Sequence, residues 1–329
     1  MNAGEIRARN LLKGTTSFLK IACGPAGEFV EVGSGRGLAD ELRSYSRMKF
    51  GDVEAIQWSA GKLAGKVIEE LKGGGSLREM FEVAGAAGEH VYLTAPGVRN
   101  VISASNRLMR QTALRVNAYL ALEGLPTMIC KPLTRLGSGR ANYAQLSAEG
   151  RKGRHKTTKS IVPRSDFEEH GIHVVFLDDV EVTGATVERA KTRSLEAGAR
   201  SFHSLFALQV DPDVAAKDPG IEHRMNQFEV VGGLDDVLLR ILSHDDYQPV
   251  QRMLRLLLHP KNRPQLSDFV AAVKNPILLR LYTCALSNDY LSIRTDQDPN
   301  HSPLYADSVH ILRMVLHNSG FVDQQGLII

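Results

Sequence analysis

VVFLDDVEVTGAT, residues 174–186, is the stretch on which the reading of this chain turns. Apolar residues run directly into two adjacent carboxylates, Asp178 and Asp179, and then into a turn of Thr183, Gly184, Ala185 and Thr186. The run reads as a buried strand. In an open parallel sheet, ligands sit at the carboxyl ends of the strands. Carboxylates buried there without partners are costly, so the pair is expected to face a polar crevice. The loop that follows leads into a helix starting near Gly184, whose first-turn amides favour an anion, most naturally a phosphate. Thr183 and Thr186 add hydroxyl donors, and Gly184 allows close backbone approach. Two acceptors for hydroxyl groups followed by a phosphate cradle suit a sugar phosphate.

Outward from this stretch, strands and helices alternate. Residues 89–97 read as strand and turn, 104–124 as a helix with Ser105 or Asn106 as cap, and 126–134 as a strand. A strand at 173–179, a helix at 184–198 and a strand at 201–210 follow. This order predicts an α/β fold with a parallel sheet covered by helices. Before it, residues 38–72 read as helix with a break near Gly51, and residues 1–36 as mixed, with GPAGEFVEVGSGRG (24–37) as turns around a short strand at 28–32. After it, five stretches with apolar stripes, separated around Pro249, Pro260, Pro276 and Pro303, read as helices. The expected organisation is an N-terminal helical segment, 1–85, acting as hood or core cover, an α/β core, 86–214, and an all-helical C-terminal region, 215–329.

The 329 residues are 43% hydrophobic and 23% charged, ordinary values for a globular protein. Cys23, Cys130 and Cys284 are far apart and show no CxxC spacing, which argues against zinc and disulfides and fits a reducing, cytoplasmic setting. Neither a signal peptide nor a membrane span is expected. A net charge of +3 is too small to imply a nucleic-acid partner. Residues 131–159, however, carry eight Lys and Arg against one acid, Glu149, a local block that suits an anionic ligand.

Residues 174–186 resemble the 5-phosphoribosyl-1-pyrophosphate (PRPP) motif of type I phosphoribosyltransferases: apolar strand, acid pair, short loop ending in Thr-Gly-x-Thr. The resemblance implies that Asp178 and Asp179 contact the ribose hydroxyls and that Val182, Thr183, Gly184, Ala185 and Thr186 hold the 5′-phosphate. It implies Mg²⁺ as cofactor, bridging pyrophosphate and ribose and reached by Asp178 or Asp179 through water. Arg99, in LTAPGVRN, stands where the family contacts pyrophosphate. Residues 130–159 stand where the family has a mobile basic loop, made flexible by Gly137, Gly139, Gly150 and Gly153. Lys131, Arg135, Arg151 and Arg154 are its candidates to meet pyrophosphate, the two later arginines as catalytic groups. Glu181 is the candidate general base where the loop turns it inward, and otherwise a solvent-facing residue. Some purine-using members have an acid just before the Thr-Gly, where this chain has Val182, so 6-oxopurine specificity does not carry over. Asp211 and Asp213 either line an acceptor pocket or cap a turn with Pro212.

The implied reaction is transfer of phosphoribosyl from PRPP to a nitrogenous small molecule. A homodimer is compatible with it. A non-catalytic PRPP- or nucleotide-sensing regulator is the alternative, and a PRPP synthetase is disfavoured by the helical tail. More loosely, SYSRMKFGD (44–52), ANYAQLSAEGR (141–151) and that tail are similar to phosphoribosyltransferase-like proteins of tellurium-resistance-type gene clusters.

Overall fold

The computed structural model describes residues 14–98, 100–131, 133–136, 159–161, 171–218, 220–292 and 305–329. Six strands form the main sheet: β1 (Gly14–Cys23), β2 (Phe29–Glu31), β3 (His90–Thr94), β4 (Met128–Cys130), β7 (Ile172–Glu181) and β8 (Ser201–Val210). Their order is β2-β1-β8-β7-β3-β4, parallel throughout except for β2, which runs antiparallel on β1. Two short strands, β5 (Thr134–Leu136) and β6 (Lys159–Ile161), pair separately and antiparallel. The expected α/β class, with its parallel sheet, flanking helices and helical C-terminal region, is what the chain adopts.

β7 is central and buried on both faces, which is why its sequence is an unbroken apolar run rather than an alternation. Val175 and Leu177 enter the core built with α1 (Ala39–Lys49), α2 (Val53–Lys72), α3 (Ser76–Ala87) and α4 (Ala104–Leu122). Val174 and Phe176 enter the smaller core that also takes Val187 and Ala190 of α5 (Ala185–Glu196). α2 starts at Asp52, whose side chain accepts from the Ala55 amide, and keeps Ile56, Ala60, Leu63, Val67 and Leu71 on its buried stripe.

β1 is the main departure from the sequence, in which the short strand at 28–32 is the only one expected among residues 1–36. Its pattern hides because its buried partners are partly polar. Thr15 Oγ1 and Ser204 Oγ lie 2.9 Å apart, and Thr16 Oγ1 lies 2.9 Å from His203 Nε2. Thr16 donates its own proton to Glu70, so it accepts from the His203 ring. A Cβ on Gly14 would stand 1.8 Å from His203 Nδ1, which explains the glycine.

Burial pushes the His203 pKa down to about 4 from 6.5. Between those values the unfolded chain binds a proton that the folded chain refuses, so stability falls as pH drops from 6.5 towards 4. His203→Gln is expected to flatten this acid slope by up to about 1.4 kcal/mol per pH unit. Urea midpoints at pH 7 and pH 5 measure it, and an unchanged slope removes His203 as the cause.

Beyond β8 come two short helices, α6 (Pro212–Lys217) and α7 (Ile221–Asn226). Then follow α8 (Asp236–Ser243), α9 (Gln251–Leu257), α10 (Arg263–Ala271), α11 (Asn275–Ser287) and α12 (Ala306–Asn318). The last five enclose their own core, and Phe50 and Val101 reach into it from the preceding part of the chain. Among the described residues, no helix is long and apolar enough to cross a membrane.

Candidate functional site

β3, β4, β7 and β8 are parallel, so Thr94, Cys130, Glu181 and Val210 end on one edge of the sheet. Asp178 stands near that edge, partly accessible. Its Oδ1 accepts from Ser105 Oγ at 2.8 Å and from the Asp179 amide at 2.8 Å. Burial and the neighbouring charge of Asp179 push its pKa up to about 8, against the opposing pull of Lys49 and Ser105. Ser105 is free for this bond because the cap of α4 is Ser103, whose Oγ accepts from the Asn106 amide at 3.2 Å. Neither Ser105 nor Asn106 is the cap residue, as the sequence reading had it.

Asp179 is differently placed. It is 5% exposed, and its Oδ2 lies 2.6 Å from Lys49 Nζ, itself 6% exposed. The expectation that both carboxylates face one polar crevice is therefore corrected. Consecutive strand residues project to opposite sides, and the Lys49 ammonium supplies at Asp179 the compensation that water supplies elsewhere. Lys49 also lies 3.8 Å from Glu222 Oε1, and Arg252 Nη2 is 4.0 Å from the same oxygen. Tyr45 shares this environment. Its hydroxyl is buried without a hydrogen-bond partner among the described residues. Burial and the charges of Asp179 and Glu222 raise its pKa well above the usual phenol value, keeping it a neutral donor.

The loop after β7 has the shape its composition predicts. Gly184 adopts φ +70 and opens α5 with no side-chain cap, a helix start of the kind whose first-turn amides suit an anion. Val182 packs on the core, Thr183 is exposed, and Ala185 and Thr186 are partly accessible in the first turn. Glu181 is half-buried and accepts from Gln209 Nε2 at 2.6 Å, while Ser17 Oγ donates to Gln209 Oε1 at 3.3 Å. Burial raises the Glu181 pKa against that hydrogen bond.

Lys131 sits at the end of β4 with its ammonium 4.9 Å from the centre of the Tyr92 ring, a cation–π contact. Arg135 lies within β5. Arg99, Arg151 and Arg154 lie outside the described residues. Asp211 caps α6, accepting from the amides of Asp213 and Val214, so the turn-cap reading describes it.

Lys49 and Gln209 had no assigned role in the sequence reading, and Ser105 only that of a helix cap. Lys49 did carry a signal, because it follows Leu42 by seven positions and Tyr45 by four, on the apolar stripe of α1. Among the described residues, no group of three or more His, Cys, Asp or Glu could hold a metal ion. A hard cation held largely by its ligand's own oxygens fits only Asp178, through water, since Asp179 is already balanced by Lys49.

Chemically, the edge offers the partly accessible carboxyl of Asp178, the half-buried one of Glu181, and a helix mouth for an anion. Residues 38–301 match the family described as PRTase ComF-like, PRTase being phosphoribosyltransferase. No curated protein matches. Among solved structures, a similar chain is a variant of hypoxanthine phosphoribosyltransferase from Trypanosoma cruzi complexed with the product IMP. Identity is 13%, the TM-score 0.28, and the match covers 49% of this chain and 66% of that one.

Proposed function

Because this chain belongs to the PRTase ComF-like family of phosphoribosyltransferases, we propose that it transfers 5-phosphoribosyl from PRPP to a nitrogenous small molecule, releasing pyrophosphate. The observation that carries this is the partly accessible Asp178 carboxyl standing six residues before Gly184, which opens a helix with no side-chain cap. Asp178 accepts from a ribose hydroxyl, and the amides of residues 182–186 hold the 5′-phosphate. Asp178 would hold a bound Mg²⁺ through water, and that ion would supply positive charge for the pyrophosphate leaving group. Positive charge grows on the ribose as the bond at C1 loosens, and Arg99, Lys131, Arg135, Arg151 and Arg154 are the chain's own cations for the leaving group. Glu181, with its pKa raised by burial, takes the proton from the acceptor nitrogen. The free thiols suit the same cytoplasmic setting.

One observation favours a second reading. The Asp179 charge is already engaged by Lys49, leaving a single acid for the ribose, as a PRPP-sensing regulator without turnover would tolerate. Incubation with Mg²⁺, PRPP and a panel of nitrogenous bases, with release of pyrophosphate as readout, separates the two. Binding without release selects the regulator, and no PRPP binding overturns both. For the enzyme, Glu181→Gln is expected to lower turnover by about 10²–10⁴-fold with PRPP affinity unchanged. A variant with full turnover removes Glu181 as the base.

A further inference from the structure

Residues 44–52, SYSRMKFGD, join three parts of the molecule. Ser46 is fully buried. Its Oγ donates to the Asn226 carbonyl at 2.7 Å and accepts from the amides of Glu229 and Val230 at 3.1 Å each. One hydroxyl thus clasps the segment by which the chain leaves α7 for the C-terminal helices. Three residues on, Lys49 grips Asp179 at the end of β7 and lies beside Glu222 of α7. Phe50 then sits in the core of the C-terminal helices, and its carbonyl accepts from Tyr247 Oη at 3.3 Å. At Gly51, φ is +91 and an added Cβ would stand 3.1 Å from Tyr247 and 3.2 Å from Val250. The close approach of α9's entry to this turn therefore requires glycine.

A second tie runs to the other acid. Val101 is buried among the C-terminal helices, and the Gln251 amide donates to the Ile102 carbonyl at 3.2 Å. Arg107 bridges the two regions, its Nη1 donating to the Gly51 carbonyl at 3.2 Å and the Gln248 carbonyl at 3.4 Å. These residues flank the start of α4, which carries Ser105, the partner of Asp178. Each acid is thus held by a side chain whose own element is anchored on the C-terminal helices, Asp179 through Lys49 and Asp178 through Ser105.

We infer that Lys49 is a positioning residue of the PRPP cleft, and that residues 44–52 make the packing of the C-terminal helices a condition of the acid pair's geometry. The inference rests on the phosphoribosyl reading above. Lys49 touches no substrate in it. It fixes where the Asp179 carboxylate stands and hence the end of β7 that presents Asp178.

The test titrates PRPP with Mg²⁺, and separately inorganic phosphate, into wild type, Lys49→Met, Lys49→Arg and Ser46→Ala. The phosphate arm reads the mouth of α5, which Lys49 does not touch. Misplacement of a binding group costs on the order of 10²-fold, so Lys49→Met is expected to weaken PRPP by about that factor. Phosphate affinity is expected to stay at the wild-type value, and Lys49→Arg to recover most of the PRPP affinity. Should Lys49→Met not fold, Ser46→Ala keeps every charge, releases the three hydrogen bonds of that hydroxyl and is expected to weaken PRPP alone, by about threefold or more. Equal loss of both ligands, or unaltered PRPP affinity in a folded Lys49→Met or in Ser46→Ala, overturns the inference. Wild type that binds no PRPP overturns the functional reading itself, and this inference with it.

Discussion

Above pH 8, where its carboxyl is ionised, Asp178→Asn weakens PRPP binding by about 10- to 150-fold, the value of one hydrogen bond to a charged acceptor at about 1.5–3 kcal/mol. The fold is not weakened with it. An amide retains an oxygen to accept from Ser105 and from the Asp179 amide, the two bonds that hold the side chain. It also removes a carboxyl whose ionisation is opposed by burial and by Asp179. The expected pattern is therefore a large loss of affinity at an unchanged or higher melting temperature, the usual sign of a group kept for binding at the expense of stability. Calorimetric titration with Mg²⁺ and PRPP, beside a thermal melt, reads both. Wild-type affinity in the variant would take Asp178 out of the site.

The largest expected loss of stability is at Phe50. The side chain is 4% exposed and fills the core of the C-terminal helices from outside their own stretch of sequence. Phe50→Ala leaves a cavity there and is expected to cost about 3–5 kcal/mol. Denaturant titration measures it. A midpoint equal to wild type would mean that the core closes without Phe50 and that α1 is not held by it.

The strand, acid pair and loop at 174–186 were legible because each is local. An apolar run long enough to be buried on both faces, two acids at its end and a glycine at a positive φ are all visible within thirteen residues. β1 was not legible because its inward positions are Thr16 as well as Leu19 and Ile21, and their suitability depends on His203 and Glu70, which no window of sequence places beside them. The separate fates of Asp178 and Asp179 were hidden for a related reason. The cation that claims Asp179 lies 130 positions earlier, and the serine that holds Asp178 lies 73 positions earlier. Composition marked the basic block at 131–159 as the cationic element, yet the cation nearest the acid pair among the described residues is an isolated lysine on a helix stripe.

The seating of β1 beside β8 has a consequence for how the chain comes to be folded. Thr15 meets Ser204 across 189 positions of sequence, so β1, which has β2 on its other side from the start, waits for nearly two hundred more residues before β8 exists. Contacts of such wide separation form slowly, because a long loop must be closed first. During that wait the edge of β1 that β8 later covers is unpaired, and a nascent chain in this state is open to pairing with another of its kind.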